Sequence, residues 1–466
     1  MNTRCAALFA LGIGWCAGAR ATNGDFDLSF GNGGIAFTGL TDVFGNGGYG
    51  PVVQPDGKIL FCDTRTAVGT TGSDFFVARF DADGTLDAGF GSGGKVTIDF
   101  DEGLGVDMCS AIALQNDGHI VVAGYTRAES DDDFAVARLN PDGTPDTSFA
   151  GTGKTTIAFD LGAGNIDQAF AVAVQADGGI VVAGSAQTNS NGNDFAIARL
   201  TPNGSPDNTF GTNGKVTVGF DFAESTNKDD TATALAVDSA QRIVVAGRAN
   251  RGSASVMYND FAVARLLPNG DLDASFDGDG RATIAFDIGA SADDEPFALA
   301  IQEDGRIVLA GTSDVSPIAG TTNYDMALAR LMSDGSPDAS FGIGGKTLVA
   351  FDLAADGIDN AVGLAEQPGN GKLYVVGYTQ YDSGGHIRGA AARLDADGRL
   401  DDGFGALGKQ SYDLGLTTPS SQVLRGIAIT GRRVMVTGAA RVPGDNTIDD
   451  FLVRLSDDLI FADRFD

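Results

Sequence analysis

The sequence predicts an all-β fold, a seven-bladed β-propeller of four-stranded antiparallel blades, and three observations predict it. The phrase DFAVARL or a close variant recurs seven times, ending at Arg79, Arg138, Arg199, Arg265, Arg330, Arg393 and Arg454. A Phe stands eleven residues after each arginine, at Phe90, Phe149, Phe210, Phe276, Phe341, Phe404 and Phe465, and Phe30 opens the series. Short apolar runs between these marks are joined by Asp-Gly turns. The arginine spacings lie between 59 and 66, so whole units recur and the length differences fall in loops.

Four strand signals make up one copy. In the second they are KVTIDF at 95–100, CSAIALQ at 109–115, HIVVAG at 119–124 and DFAVARL at 133–139. Each is too short for a helix and rich in residues that suit a half-buried pleat. Asp117-Gly118 joins the second run to the third, and Asp56-Gly57, Asp177-Gly178 and Asp304-Gly305 repeat that turn, supplying the positive φ of a tight hairpin. The phrase FAVAR places Phe134, Val136 and Arg138 on one face and Ala135 and Ala137 on the other. The alanine face is thin enough for a neighbouring sheet to approach closely. No such sheet buries both faces alone, so the ring is expected to fold cooperatively, and ring closure protects the edges. A β-solenoid or open repeat array is the rival arrangement, but solenoid coils are usually shorter and lack Asp-Gly hairpins.

The combination of LDxSFGxxGK, AxAxQxDGxIVVAG and DFAVARLNPDG, running from Asp25 to about Phe465, resembles the delta-60 repeat family of secreted or surface proteins of bacteria. The resemblance implies an extracytoplasmic repeat protein and brings no catalytic residues. Two copies depart from it. Gly389-Ala-Ala-Ala-Arg393 replaces DFAVAR in the sixth, and Gly431-Arg432-Arg433 replaces an Asp-Gly turn in the seventh, so those blades are expected to be the least regular.

An apolar stretch at 5–18, preceded by Arg4 and followed by Ala19-Arg20-Ala21, reads as a signal peptide, 1–21, leaving one propeller over 22–466. Secretion is expected, to the extracellular space, periplasm or cell surface, as a monomer without a membrane span. Trp15 and two of the four cysteines, Cys5 and Cys16, lie in that leader. Cys62 and Cys109 remain, on strands of adjacent repeats, and stand either as one bridge or as two small buried hydrophobes. A net charge of −31 disfavours nucleic acid and anionic lipid as partners. It also keeps an edge-rich β protein in solution. The final residues 459–466, LIFADRFD, resemble short tails of some secreted bacterial proteins and read as a sorting signal or a strand sealing a blade.

Two glycine-rich segments mimic nucleotide sites, GFGSGG at 89–94 and AGTGKT at 150–155. Both lead into a strand where phosphate binding needs a helix N-terminus, so they read as linkers between blades. Asp81, Asp83 and Asp87, Asp142 and Asp146, and Asp395, Asp397 and Asp401 alternate around glycine turns as calcium ligands do. They are equally the residues of ordinary turns. An Asp eight residues beyond each of the first six arginines, at Asp87, Asp146, Asp207, Asp273, Asp338 and Asp401, predicts a partly buried ion pair tying the strand end to the linker. The two histidines, His119 and His386, lie in different repeats, and no nucleophile elbow or His/Cys metal spacing is present.

Antiparallel alternation puts the loops at 101–107, 160–167 and 221–230 at the same end as those at 128–132, 187–193, 248–259 and 314–323. These loops vary in length while the opposite turns are nearly invariant, the pattern of a binding surface on a rigid scaffold. The leading expectation is a noncatalytic extracellular binding module whose unknown ligand meets that end. A secreted carboxylate-dependent hydrolase or lyase and a calcium-stabilised structural protein are the alternatives.

Overall fold

The computed structural model describes residues 23–456, apart from 40–47, 67–71, 101–104, 129–130, 162–164, 190–191, 221, 223–224, 226–227, 253–257, 291, 319–320, 355–356, 416–420, 432 and 442–447. The leader at 1–21, the tail at 459–466 and Phe465 lie outside the described residues.

Among the described residues the chain forms seven four-stranded antiparallel sheets. Strand β1 (Ile35–Phe37) precedes blade 1, which holds β2 (Tyr49–Val53), β3 (Ile59–Arg65), β4 (Asp74–Phe80) and β5 (Lys95–Ile98). Blade 2 holds β6 (Val106–Leu114), β7 (Ile120–Ala128), β8 (Asp131–Leu139) and β9 (Lys154–Ile157). Blade 3 holds β10 (Asp167–Val174), β11 (Ile180–Asn189), β12 (Gly192–Leu200) and β13 (Lys215–Val218). Blade 4 holds β14 (Thr231–Val237), β15 (Ile243–Asn250), β16 (Asn259–Leu266) and β17 (Arg281–Ile284). Blade 5 holds β18 (Asp294–Ile301), β19 (Ile307–Asp314), β20 (Tyr324–Leu331) and β21 (Lys346–Val349). Blade 6 holds β22 (Asp359–Glu366), β23 (Leu373–Gln380), β24 (Ile387–Leu394) and β25 (Lys409–Tyr412). Blade 7 is β26 (Gln422–Thr430), β27 (Arg433–Arg441) and β28 (Ile448–Leu455), completed by β1.

The first strand of each blade contacts the first strand of the next, and β2 contacts both β6 and β26, so the ring is closed. Ile35, Ala36 and Phe37 pair with Val453, Leu452 and Phe451, so the N-terminal segment completes the last blade. The blades thus begin and end one strand away from the copies read in the sequence. The KVTIDF strand is the outermost strand of the blade before it, because it pairs with the DFAVAR strand across the turn that carries Phe90. Copy and blade are therefore out of step by one strand.

Small-against-large packing joins the blades as the FAVAR alternation implies. Phe134 and Val136 of blade 2 share a core with Ala196 and Ala198 of blade 3, while Ala135 and Ala137 receive Phe75 and Val77 of blade 1. Blade 6 is not irregular, contrary to expectation, since β24 pairs through eight consecutive positions with β23. Gly389 there takes the position of Phe134, and a Cβ on it would meet Leu424 of blade 7 at 2.9 Å. The equivalent of Leu424 at the junction of blades 2 and 3 is Ala169, so bulk has moved from one blade to the other and Leu424 makes up part of the volume that the absent Phe gives up. Each inner strand carries a bulge, and at Gly184 a Cβ would stand 1.9 Å from the Gln168 carbonyl oxygen. That close approach explains the glycine closing each IVVAG phrase.

The recurring arginine is the rivet of each junction. Its guanidinium pairs with the predicted Asp in all six cases, Arg79–Asp87 and Arg138–Asp146 at 2.7 Å, Arg199–Asp207 at 2.6 Å, Arg265–Asp273 and Arg330–Asp338 at 2.8 Å, and Arg393–Asp401 at 2.6 Å. The seventh, Arg454, pairs with Asp27 at 2.7 Å, 427 residues away. At six of the seven arginines the guanidinium also lies over a Phe ring, 4.5 Å from the centroid for Arg79 over Phe90 and 5.1 Å for Arg454 over Phe30, a favourable cation–π contact. Arg79, Arg138, Arg265, Arg330 and Arg454 also donate to carbonyls of the next blade, at Pro141, Pro202, Ser333, Ala396 and Ala82. Beside each rivet a backbone N–H reaches the next blade's turn. These bonds run from Gly31, Gly91, Ala150, Gly211, Asp277, Gly342 and Gly405 to the carbonyls of Asp83, Asp142, Asn203, Asn269, Asp334, Asp397 and Asn23, at 2.7–2.9 Å.

Cys62 of β3 and Cys109 of β6 form a disulfide between blades 1 and 2. With 47 residues between its ends, it restricts the unfolded chain by about 4 kcal/mol on the chain-entropy account. Among the described residues no helix is long and apolar enough to cross a membrane.

Replacing Arg265 by Ala leaves the Asp273 carboxylate buried without its main partner. Breaking a buried pair costs about 3–5 kcal/mol, and the lower end is expected because Arg242 remains 3.5 Å from Asp273. A urea unfolding curve of the variant, with its midpoint shifted down at unchanged slope, checks this.

Candidate functional site

The two sets of length-variable loops do share one end of the ring. Parallel bridges join the start of the third strand of one blade to the start of the first strand of the next, as in Ser73 with Val106, Asp132 with Ile166 and Tyr324 with Ile358. Much of these loops, including 101–104, 129–130, 162–164, 190–191, 253–257 and 319–320, lies outside the described residues.

Two rows of aspartates follow from this geometry. In the first, an Asp at the start of the inner strand of blades 2 to 6 accepts a backbone N–H from the preceding blade. Phe100 donates to Asp107 at 2.7 Å, Phe159 to Asp167 at 2.6 Å, Phe220 to Asp230 at 2.7 Å, Phe286 to Asp294 at 2.7 Å and Phe351 to Asp359 at 2.5 Å. Gln422 takes the place in blade 7, accepting from Leu414 at 3.0 Å. Sequence reasoning missed this row, although an Asp recurs seven to ten residues after each of those Phe residues. The second row is the Asp of DFAVAR, at Asp74, Asp133, Asp194, Asp260, Asp325 and Asp450.

Pairing of the rows raises carboxyl pKa values. Burial first, then the charges of Asp131 and Asp160, push Asp133 up to about 6. Burial pushes Asp260 to about 7 despite the opposing charge of Arg251. Asp325 rises to about 6 by burial and the charges of Asp359 and Asp352, and Asp294 to about 6, chiefly by burial. Buried Asp450, beside Asp63, is raised far above the ordinary range.

At the same end, blades 5 and 6 enclose a cavity of about 180 Å³ lined by Asp293, Glu295, Phe297, Tyr324, Asn360 and Tyr378, with Thr312 and Ile358. The Asn259 amide donates to Asp293 at 2.8 Å and to Glu295 at 3.3 Å, which holds those two carboxylate oxygens no more than about 6 Å apart. Arg248 donates to Glu295. The Tyr324 hydroxyl lies 3.3 Å from Asp293, and burial followed by that carboxylate's charge pushes its phenol up to about 12. Asn360 donates to the Tyr378 hydroxyl at 2.5 Å and accepts from Thr312 at 3.2 Å. Two phenol rings, an amide and a pair of carboxylates in one recess suit a ligand that donates hydrogen bonds and presents a flat apolar face.

The eight calcium candidates are not brought together. Asp83 and Asp142 accept from the N–H and hydroxyl of Thr85 and Thr144 within their own turns, at 2.7–2.9 Å. Asp87, Asp146 and Asp401 are held by the riveting arginines, and Asp81 and Asp395 lie 2.5 and 3.6 Å from Lys58 and Lys372. Asp397 pairs with Arg399 at 2.6 Å. The turn glycine has a packing role, since a Cβ on Gly143 (φ 87) would meet the Phe90 ring of the previous blade at 2.9 Å. Among the described residues, one group of three acidic side chains offers oxygens within 4.8 Å of one another, Asp74, Asp99 and Asp107. His119 lies 3.0 Å from Asp117 and 3.5 Å from Asp146, and His386 2.8 Å from Asp382.

Residues 54–90, 115–149, 175–210, 242–276, 302–341 and 369–404 match the family model described as "Domain of unknown function (DUF5122) beta-propeller". These six segments are DUF5122 β-propeller repeats. Each runs from the turn before its blade's second strand to the Phe beneath the riveting arginine, so the DUF5122 unit contains the rivet and omits the variable end's first-strand residues. No curated protein matches the chain in sequence. Solved structures similar to the DUF5122 ring include Sqt1 from Chaetomium thermophilum, at 12% identity over 93% of this chain and 100% of that one, TM-score 0.44. The alpha-L-arabinofuranosidase Arb93A from Fusarium graminearum is 10% identical over 90% and 97%, TM-score 0.40. Likenesses at this level bear on neither activity nor ligand.

The raised carboxyls set a pH dependence. Asp260, Asp294 and Asp325 bind protons more tightly folded than at their ordinary value of 3.8. Between about pH 4 and 7 the folded chain therefore carries more protons than the unfolded one, and stability falls as pH rises through that window. The hydrogen-bonded Asp146, Asp273 and Asp338 are held low, because bonds from Ser148, Ser275, Ser340 and the arginines outweigh burial, and their contribution is lost below 3.8. Thermal melts in chelator should give a higher Tm near about pH 5 than near pH 7.5, with a decline on the acid side of about pH 4.

Proposed function

We propose that this chain is a secreted, noncatalytic binding module of the delta-60 type, whose extracellular ligand docks on the variable-loop end of the ring. The observation that carries the reading is the asymmetry of the two ends. Seven backbone bonds and seven arginine rivets hold the invariant turns, whereas the other end carries loops of unequal length around a recess lined by Tyr324, Tyr378, Asn360, Asp293 and Glu295. Rigid scaffold and variable rim is how binding surfaces are built. The acidity of the chain favours a ligand bearing amines or hydroxyls over an anionic one. The Cys62–Cys109 disulfide accords with an oxidising compartment outside the cytoplasm.

A carboxylate-dependent hydrolase is the second reading, favoured by the proximity of Asp293 and Glu295, whose bound of about 6 Å admits the roughly 5–5.5 Å separation of retaining glycosidases. Against it stand the small volume of the recess and the engagement of both carboxylates by Asn259.

Immobilised protein is screened against an array of neutral oligosaccharides and against a lysine-rich peptide. Binding by one class is expected, weakened about tenfold or more by Tyr324→Ala and by Asp293→Asn, and unchanged by Asp83→Asn on the opposite end. Cleavage of an oligosaccharide, lost in Glu295→Gln, would replace the binding reading with the hydrolase.

A further inference from the structure

The recess between blades 5 and 6 has a counterpart on blade 7, at the same end of the ring. At both places the inner strand carries a bulge, which leaves Phe297 out of the ladder in β18 and Arg425 out of it in β26. Val423 pairs with Ala439 as Glu295 pairs with Thr312. The Arg441 N–H meets the Ser421 carbonyl at 3.2 Å as that of Asp314 meets the Asp293 carbonyl at 2.9 Å. Position for position, Asp293, Glu295, Phe297 and Thr312 of the first recess therefore become Ser421, Val423, Arg425 and Ala439. These four, with Arg441 and Ile448, help to line a cavity of about 260 Å³. The acids have gone, and two arginines line the wall in their place.

Among the described residues, neither Arg425 nor Arg441 takes part in an ion pair or a side-chain hydrogen bond, and the Nε of half-buried Arg425 is sealed from solvent. Elsewhere at this end the chain pairs its arginines. Arg127 meets Asp132 at 2.5 Å, Arg251 meets Asp260 at 2.8 Å, Arg388 meets Asp413 at 2.9 Å, and Arg248 is held by Glu295. The acids that follow Ile448 on β28 are engaged elsewhere, since Asp449 accepts the Thr38 hydroxyl at 2.6 Å and Asp450 stands beside Asp63. Tyr49 of blade 1, on the strand packed against β26, lies near enough for the charge of Arg425 to oppose the rise that burial gives its phenol. A neutral phenol supplies no counter-charge. A guanidinium drawn out of water without an acceptor is costly unless an anion meets it.

We propose that the recess on blade 7 binds a small carboxylate, either a free acid or the C-terminus of a peptide, through Arg425 and Arg441. The planar fork of a guanidinium matches the two oxygens of a carboxylate. The walls supplied by Val423, Ala439 and Ile448 are apolar. They suit a short hydrocarbon chain behind the charged group and offer no side-chain donor to the further oxygens of a phosphate. The net charge of −31 opposes any anion from a distance, but at physiological salt that field is screened over about 8 Å. The charged groups lining the recess itself are both cations. A doubly charged phosphate would also meet more of the long-range repulsion than a single carboxylate does. This site stands apart from the ligand proposed above and uses none of its residues.

Isothermal titration calorimetry of the full chain tests it, with sodium hexanoate and with a short valine-ended peptide whose C-terminus is free or amidated. Hexanoate or the free peptide is expected to bind at one site, and the amidated peptide not at all. Binding by hexanoate alone assigns the site to free acids and binding by the peptide alone to chain ends, and either result upholds it. Affinity should fall about tenfold or more in Arg425→Met and in Arg441→Met. It should stay at the wild-type level in Arg433→Met, at the turn end, and in Tyr324→Ala, in the other recess. Because Arg425 meets no acceptor among the described residues, Arg425→Met should leave the urea midpoint unchanged or raise it. No binding by either carboxylate, full affinity in both arginine variants, phosphate bound as tightly as the carboxylates, or a lowered midpoint in Arg425→Met would each overturn the site.

Discussion

A guanidinium held between a carboxylate, a phenyl ring and the backbone of the neighbouring sheet is the contact on which this ring depends. Each blade is a twisted four-stranded sheet with two faces to cover, and its own residues cover neither. Apolar packing supplies most of the adhesion but has no direction. The arginine supplies the direction. Its fixed fork of donors satisfies an Asp on one side, at six junctions lies on a Phe, and at five reaches a carbonyl of the next blade. At the seventh position the Asp and Phe come from the N-terminal segment, as Asp27 and Phe30, while the arginine is Arg454. The closing of the circle is therefore the same interaction used everywhere else, made between the two ends of the chain.

Much of this was legible in the sequence because the rivet is local. Arg, Asp and Phe lie within eleven residues of one another, so their spacing repeats visibly, and the Phe/Ala alternation of FAVAR announces which face is thick. What was not legible is whatever depends on long-range pairing. The assignment of the KVTIDF strand to the preceding blade follows from a hairpin whose partners are separated by a turn that reads as a linker. The closing role of β1 needs residues over four hundred positions apart. The exchange of Phe and Ala for Gly389 and Leu424 looks like degeneration within one copy and becomes compensation only when two blades are placed side by side. Whether Cys62 and Cys109 were bridged depended on the separation of their strands in space.

The candidate site shows the same division. The variable end was readable from loop lengths, and the acidic residues first considered for calcium, such as Asp83 and Asp142, are turn residues of the opposite end, where their side chains cap their own backbone and their carbonyls receive the neighbouring blade. The acids that gather are those whose partners lie in the next blade. Asp167 with Asp133, and Asp294 with Asp260, become neighbours only through junctions between consecutive blades, and burial there pushes the carboxyl pKa values of Asp133, Asp260 and Asp294 up. One end of the ring is thus cross-linked by neutralised charge, whereas the other gathers acidic side chains at the junctions between blades.

The central claim is that end-to-end closure is made by the same rivet as every other junction, and a double-mutant cycle between Arg454 and Asp27 measures it most directly. Urea unfolding of the wild type, Arg454→Met, Asp27→Asn and the double variant isolates the pair's coupling. The account predicts a favourable coupling of about 1–3 kcal/mol with a single cooperative transition in every variant. Strictly additive effects, or a first transition confined to the other blades while this junction persists, would contradict it.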